Sequence, residues 1–320
     1  MENLLVNNDT NYSISNALKI NFEYPIVSNS IKFDISELLY DISNIPSYVE
    51  HIHFGNSFNQ PIEKDNLHDK IQSINFGSKF NQKIKKNILP KGLKSVIFGS
   101  CYNQKIKKGV LPDELESIVF GDCFNQLINK HVLPSELRYI KFGYEFNHPI
   151  EKDVLPEKLL SITFGNCFNQ LIEKNVLPIG LQSIDFGDSF NQLIKKDILP
   201  KGLQSIHFSW DFDKIIEKDV LPIGLQTIIF HKSYNLPYDN ISQNINLYFR
   251  TKPRNMTRKY TLIKKNKIEL EKLIVKKEEN EIMSSIYINK IHNIEYYMTD
   301  VEIIKPRIDR FINWFNLHYF

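Results

Sequence analysis

A phenylalanine recurs every 22 residues without a slip, at Phe54, Phe76, Phe98, Phe120, Phe142, Phe164, Phe186, Phe208 and Phe230. Self-similarity at a fixed period constrains a fold more tightly than any local propensity, because every copy must solve its burial problem in the same way. Four residues after each phenylalanine stands a second aromatic, from Phe58 and Phe80 through Tyr102 to Tyr234, and an Asn follows it in every copy except at Asp213. An Ile (Ile62 through Ile216), a Leu-Pro pair (Leu89-Pro90 through Leu221-Pro222), a Leu three past the Pro and an Ile or Val three past that complete the unit.

The consensus reads L-x-x-I-x-F-G-x-x-F-N-Q-x-I-x-x-x-x-L-P-x-x-L. Its strand portion alternates, placing Ile118 and Phe120 on one face and Ser117 and Val119 on the other. Gly121 ends the strand, Asn125 begins a corner, and Pro134 precedes the next strand where a missing N–H is tolerated. One such unit has no second layer to cover its apolar anchors. Stacking supplies it: parallel strands at about 4.8 Å seat each anchor on its own copy above and below. The expected fold is therefore a β-rich solenoid, a stack of 22-residue rungs with one continuous parallel β-sheet. On this reading the serines before the buried Ile, Ser183 among them, are surface fillers.

The pattern resembles the FNIP repeat family, whose core is present as FNQPI (Phe58 to Ile62) and nearly so as FNHPI (Phe146 to Ile150). The resemblance covers about residues 45 to 240. It implies a relative of the leucine-rich repeats, whose L-x-x-L-x-L strand and later L-P-x-x-L are both recognisable, and a protein-interaction solenoid. Some members carry an F-box ahead of the repeats and would select substrates for a ubiquitin ligase. No convincing F-box stands between Met1 and Tyr48, so that role does not carry over.

Three parts are expected: an N-terminal segment and cap over 1–44, the solenoid over 45–249, and a basic segment over 250–320. Ile45-Pro46, Val49, Ile52 and Phe54 open the array as a half-repeat, and the irregular apolar segments LKINFEY and SIKFDISELLYDI precede it as an irregular N-terminal cap. Ile241, Ile245, Leu247 and Phe249 read as one last strand. From Arg250 to Lys277 eleven Lys or Arg face two acidic residues. The final PRIDRFINWFNLHYF has Pro306 at a helix start and apolar residues at Ile308, Phe311, Ile312 and Phe315, a helical spacing that predicts a mixed or helical C-terminal cap.

The 42% hydrophobic content predicts a buried core, and the net charge of +3 gives no whole-protein attraction to nucleic acid or membrane. No signal-like apolar start or membrane-length apolar run appears, and three cysteines make no secreted disulfide framework. An intracellular, cytoplasmic protein is expected.

Constellations suggestive of chemistry each have a plainer reading. Cys101, Cys123 and Cys167 share one repeat position, filled elsewhere by Ser57, Ser189 and Ser233, so a tolerated small side chain explains them without metal. His51 and His53 share a strand face, yet the next rung offers only Ser73 and Asn75. Asp185 and His207 should be lateral neighbours with Ser205 nearby, but serine fills that column in six rungs and a flat strand face lacks an oxyanion site. Lysine recurs at Lys64, Lys86, Lys108, Lys130, Lys152, Lys174, Lys196 and Lys218, interleaved with Glu and Asp, as a solvated flank would be. No nucleotide-binding or metalloprotease motif is present, and neither enzyme activity nor a cofactor is expected.

The sequence thus points to a non-enzymatic scaffold for a protein partner. The inward strand positions barely vary, whereas the position before each Phe runs His53, Asn75, Ile97, Val119, Lys141, Thr163, Asp185, His207, Ile229. Lys141, Thr163, Asp185 and His207, joined by Tyr139 and Trp210, are the candidate partner-binding residues. The alternative is nucleic-acid binding through the basic C-terminal segment.

Overall fold

The structure is a computed structural model that describes residues 42, 45–231, 234, 241–242 and 244–250, and the strands at 12–14, 18–20, 30–33, 260–264, 287–291 and 294–301. It divides into two compact units, the first holding the strands up to residue 159 and the second those from Leu160 onward.

The first unit contains β1 (Tyr12–Ile14), β2 (Leu18–Ile20), β3 (Ser30–Phe33), β4 (His51–Phe54), β5 (Ser73–Asn75), β6 (Ser95–Ile97), β7 (Ser117–Val119) and β8 (Tyr139–Lys141). From β3 to β8 each strand pairs in parallel with the next, and equivalent residues lie side by side, as with Ile74, Val96, Ile118 and Ile140. The ladder begins one strand earlier than the half-repeat at Ile45, because Ser30–Phe33 pairs in register with His51–Phe54. Before it, β1 and β2 pair antiparallel.

The second unit contains β9 (Ser161–Thr163), β10 (Ser183–Asp185), β11 (Ser205–His207), β12 (Thr227–His231), β13 (Asn246–Arg250), β14 (Tyr260–Lys264), β15 (Tyr287–Ile291) and β16 (Ile294–Val301). Strands β9 to β13 are again parallel, so the last strand expected around Leu247 is present. Beyond it the pairing turns antiparallel, β13 with β14, β14 with β16, and β16 with β15. The helix expected from Pro306 lies outside the described residues.

Most rungs close through three tight turns, each with an i+3 N–H returning to the carbonyl of residue i. In one rung Phe124 N donates to Gly121 O, Val132 N to Asn129 O, and Leu137 N to Pro134 O. The strands are short because the chain must turn three times in 22 residues. Inside, the two aromatic columns stack face to face within a rung, with ring centroids 4.1 Å apart at Phe54–Phe58 and 3.9 Å at Phe142–Phe146. Between rungs each ring stacks on its copy, at 5.6 Å for Phe98–Phe120 and 5.9 Å for Phe164–Phe186. The Phe, Ile and Leu columns are buried, as the alternation predicts, except at the half-buried Leu221.

The serine column departs from expectation. Ser73, Ser95, Ser117, Ser161 and Ser183 are buried rather than surface fillers. A serine is short, and with neighbouring strands only about 4.8 Å away it is shielded by the residues on either side.

A second column also carries more than the sequence reading gave it. Asp65, Asn87, Gly109, His131, Asp153, Asn175, Asp197 and Asp219, the third residues of the middle turns, all have φ between 61° and 77°. Left-handed backbone favours Gly, Asn and Asp over other side chains, so the acids following the lysine column answer a backbone demand as well as a charge one. His131, at φ 61°, is the poorest fit in the series. His131→Gly should therefore raise stability by about 0.5 to 1 kcal/mol in urea unfolding; an unchanged or lower midpoint would deny the strain.

The Asn after the second aromatic forms a ladder. Asn59 Oδ1 accepts the Asn81 N–H at 2.9 Å, Asn81 that of Asn103 at 2.9 Å, and Asn103 that of Asn125 at 3.0 Å. In the second unit Asn169 serves Asn191 at 2.8 Å and Asn191 serves Asp213 at 3.1 Å. The Gln that follows adds its amide, as Gln126 Nε2 does to Asn103 Oδ1 at 2.9 Å. Asn103→Ala removes the acceptor for both donors and should cost about 1 to 2 kcal/mol. A loss below about 0.3 kcal/mol on chemical denaturation would show that water replaces it.

Candidate interaction surface

The outward strand positions are where the constant frame carries changing chemistry. They are half-buried rather than free in solvent at His53, Asn75, Ile97, Val119, Thr163, Asp185 and His207, exposed at Lys141, and buried at Ile229. Within each unit the parallel register sets equivalent outward residues side by side.

In the second unit the register sets Thr163, Asp185 and His207 side by side. Asp185 Oδ2 lies 3.2 Å from His207 Nδ1, and Asp185 Oδ1 accepts the Gly187 N–H at 3.1 Å. That carboxylate is thus occupied in holding its own turn, where Gly187 has φ 77°. Ser205 lies on the same strand as His207, two residues earlier. Trp210, 40% exposed, projects just beyond β11 and stacks on His231. In the first unit Tyr139 and Lys141 share the outward face of β8, the tyrosine half-buried and the lysine exposed. Of the six candidate residues, Lys141 and Trp210 are the ones that most clearly offer accessible surface.

The other constellations are structural. His51 Nδ1 meets Ser73 Oγ at 2.9 Å in a buried setting, and burial pushes the imidazole below its ordinary pKa against the opposing pull of Glu50. Cys101, Cys123 and Cys167 form no disulfide among the described residues. Burial, then Glu145, Cys101 and Asp122, hold the Cys123 thiol above its usual range, the opposite of an activated nucleophile. Among the described residues no group of three or more His, Cys, Asp or Glu is arranged to hold a metal ion, and no helix is long and apolar enough to cross a membrane. A shallow cavity of about 410 Å³ beside the middle turns is lined by Gly109, His131, Pro134, Asp153, Pro156 and Lys158, a mixed set with no converging donors.

The lysine column sits at the second residue of the middle turns and is exposed throughout. Lys130 pairs with Asp153 and Lys174 with Asp197, each at 3.4 Å across to the next rung. Exposed pairs of this kind contribute little stability and make a solvated flank.

The FNIP Repeat profile matches residues 41–79, 58–101, 102–145, 146–189 and 190–233. The chain belongs to the FNIP repeat family. Its parallel, 22-residue rungs make these FNIP repeats a leucine-rich-repeat-like solenoid. No curated protein matches the sequence. Among solved structures the chain is similar to "The crystal structure of CroV588 a novel circular LRR protein structure", with 36% identity and a TM-score of 0.56. That match covers 63% of this chain and 33% of the other, so the FNIP array here corresponds to a third of that protein's length. The repeat-solenoid fold is typical of protein-interaction scaffolds.

The sequence places the column Asn at a corner, but neither its hydrogen-bond ladder nor the left-handed middle turns follow from the pattern, although both recur at the period. Their signal was a restricted choice at one position, Asp, Asn, Gly or His, which only a known φ converts into a reason.

Proposed function

We propose that this FNIP-repeat chain is a non-enzymatic, intracellular scaffold whose outward strand face binds a protein partner. The observation that carries the reading is the contrast within each strand. Ile74, Val96, Ile118, Ile140, Ile162, Ile184 and Ile206 are nearly invariant and buried, while the residue beside each changes between amide, aliphatic, cation, hydroxyl and acid. A frame that conserves its packing while varying one column has a surface free to specialise.

Trp210 on the strand face of one unit, and Tyr139 with Lys141 on the strand face of the other, supply each with the large and charged side chains on which binding energy concentrates. Asp185 and His207, held to each other, give a rigid polar platform rather than loose charges. Thr163 completes the row beside them.

The test is affinity capture from the native cell with the intact chain and with a Tyr139→Ala, Lys141→Ala, Trp210→Ala variant. Loss of the main partner with an unchanged unfolding midpoint supports the strand face. Undiminished capture by the variant removes it as the site.

A further inference from the structure

Ten lysines and no acidic residue or arginine occupy residues 70–112, a run of nearly two rungs. The chain as a whole has 40 basic and 37 acidic residues, so without this block it would be net acidic. The concentration is sharpest at two adjacent corners. NQKIKKN (Asn81 to Asn87) and NQKIKKG (Asn103 to Gly109) place Lys83, Lys85 and Lys86 beside Lys105, Lys107 and Lys108, all six exposed.

These corners break the pattern of the other copies in three ways. Where Lys83 and Lys105 stand, the equivalent residues are Pro61, Leu127, Pro149, Leu171, Leu193 and Ile215. Lys85 and Lys107 take a place held by glutamate in four of the other six copies, Glu63, Glu151, Glu173 and Glu217, the remaining two having Asn129 and Lys195. The left-handed residue is Asn87 or Gly109, where four of the other six copies carry Asp65, Asp153, Asp197 and Asp219 and two carry His131 and Asn175. Backbone demand is met equally well by Asp, Asn or Gly, so the turn geometry does not call for the loss of acid. Nor does packing, since all six side chains lie outside the core. Like charges on stacked neighbours oppose one another, and among the described residues Lys85 is the one of the six with an ion-pair partner, Glu63 at 3.8 Å.

We propose that this corner face docks an acidic segment of a protein partner, with the six lysines as its charge complement. It is a surface separate from the strand face. An acidic protein segment fits better than nucleic acid for two reasons. The block has no arginine to fork onto phosphate or base edges, and its aromatics, Phe76, Phe80, Phe98 and Tyr102, are buried and unable to stack with bases. The basic track is also short. It meets Glu63 and Asp65 on one side, and on the other Lys130 is already paired with Asp153, so a long polyanion would run into acid in one direction and a neutralised lysine in the other. Lysines on flexible stems suit an extended Asp/Glu-rich segment, which asks for charge density rather than fixed geometry.

The experiment titrates the full chain with a fluorescent octaglutamate peptide and, separately, a dodecathymidylate strand. It compares the native protein with a Lys83→Gln, Lys86→Gln, Lys105→Gln, Lys108→Gln variant. The control removes four lysines from the same corner column elsewhere: Lys152→Gln, Lys174→Gln, Lys196→Gln, Lys218→Gln. All eight positions are exposed, so both variants should fold, as a thermal melt will confirm. The expected result is peptide binding that weakens at least tenfold in the first variant and less than threefold in the control. Equal losses would reduce the effect to net charge and overturn the proposal. So would tighter binding of the oligonucleotide than of the peptide, or no peptide binding at all to the native protein at about 1 mM in low salt. The strand-face variant serves as a cross-check, since it should bind octaglutamate like the native protein whether or not the strand face has a partner.

Discussion

Phe142→Ala is expected to lower the unfolding free energy by about 3 to 5 kcal/mol, the range for a buried phenylalanine that leaves a cavity behind. The ring is 2% exposed and stacks on Phe146 at 3.9 Å and on Phe120 at 5.7 Å. Those neighbours are themselves held in columns and cannot collapse into the gap without losing their own stacking. The adjacent Lys141→Ala removes an exposed side chain on the opposite face and should change stability by no more than about 0.5 kcal/mol. Urea unfolding of the two variants side by side checks the assignment of faces. Equal shifts would mean that the inward and outward columns have been confused.

Gly121→Ala should be at least as damaging, at about 3 kcal/mol or more, although it adds only one methyl group. A Cβ on Gly121 would lie 1.8 Å from the carbonyl oxygen of Gly99 and 2.4 Å from its carbon. Both are backbone atoms of the rung below, so relief requires the rungs to part and the parallel ladder to stretch. Overpacking usually costs about 1 to 3 kcal/mol, and more where no flexible neighbour can yield. The same close approach recurs at Gly77, Gly99 and Gly143. Gly224→Ala is the control, because its nearest neighbour, the Lys201 carbonyl oxygen, lies 3.3 Å from the added carbon. Its effect should stay within about 1 kcal/mol. Comparable losses at the two glycines would show that conformational freedom, not contact between rungs, explains the Gly121 position.

Further along the column the frame itself changes. Gly187 takes φ 77°, its N–H bound by Asp185, and the next position is Ser209, whose buried hydroxyl donates to the Phe190 carbonyl. Asp185 is therefore part of how that corner is built. Its place in the variable column gave no hint of this, because the hydrogen bond runs to a backbone group two residues ahead in a turn that the consensus does not describe.

What the sequence determined by itself is everything that a period and a polarity pattern can encode. The 22-residue spacing of nine phenylalanines dictates rungs in register, since one residue of slip would carry every buried side chain to the wrong face. The alternation around Ile118 and Phe120 dictates which residues face inward, and both are buried as it requires. Tertiary structure alone decided matters that depend on contact between copies or on a backbone angle. Ser183 is buried because neighbouring strands lie close enough to cover a short side chain. Asn103 is a ladder residue because its oxygen reaches the next rung's N–H. Asn87 and Asp153 share a left-handed turn, though one is neutral and the other charged. Side-chain character along a chain reports what must be hidden from water. It does not report distances between residues 22 positions apart, and in a stack of rungs those distances settle the role of each glycine, serine and asparagine.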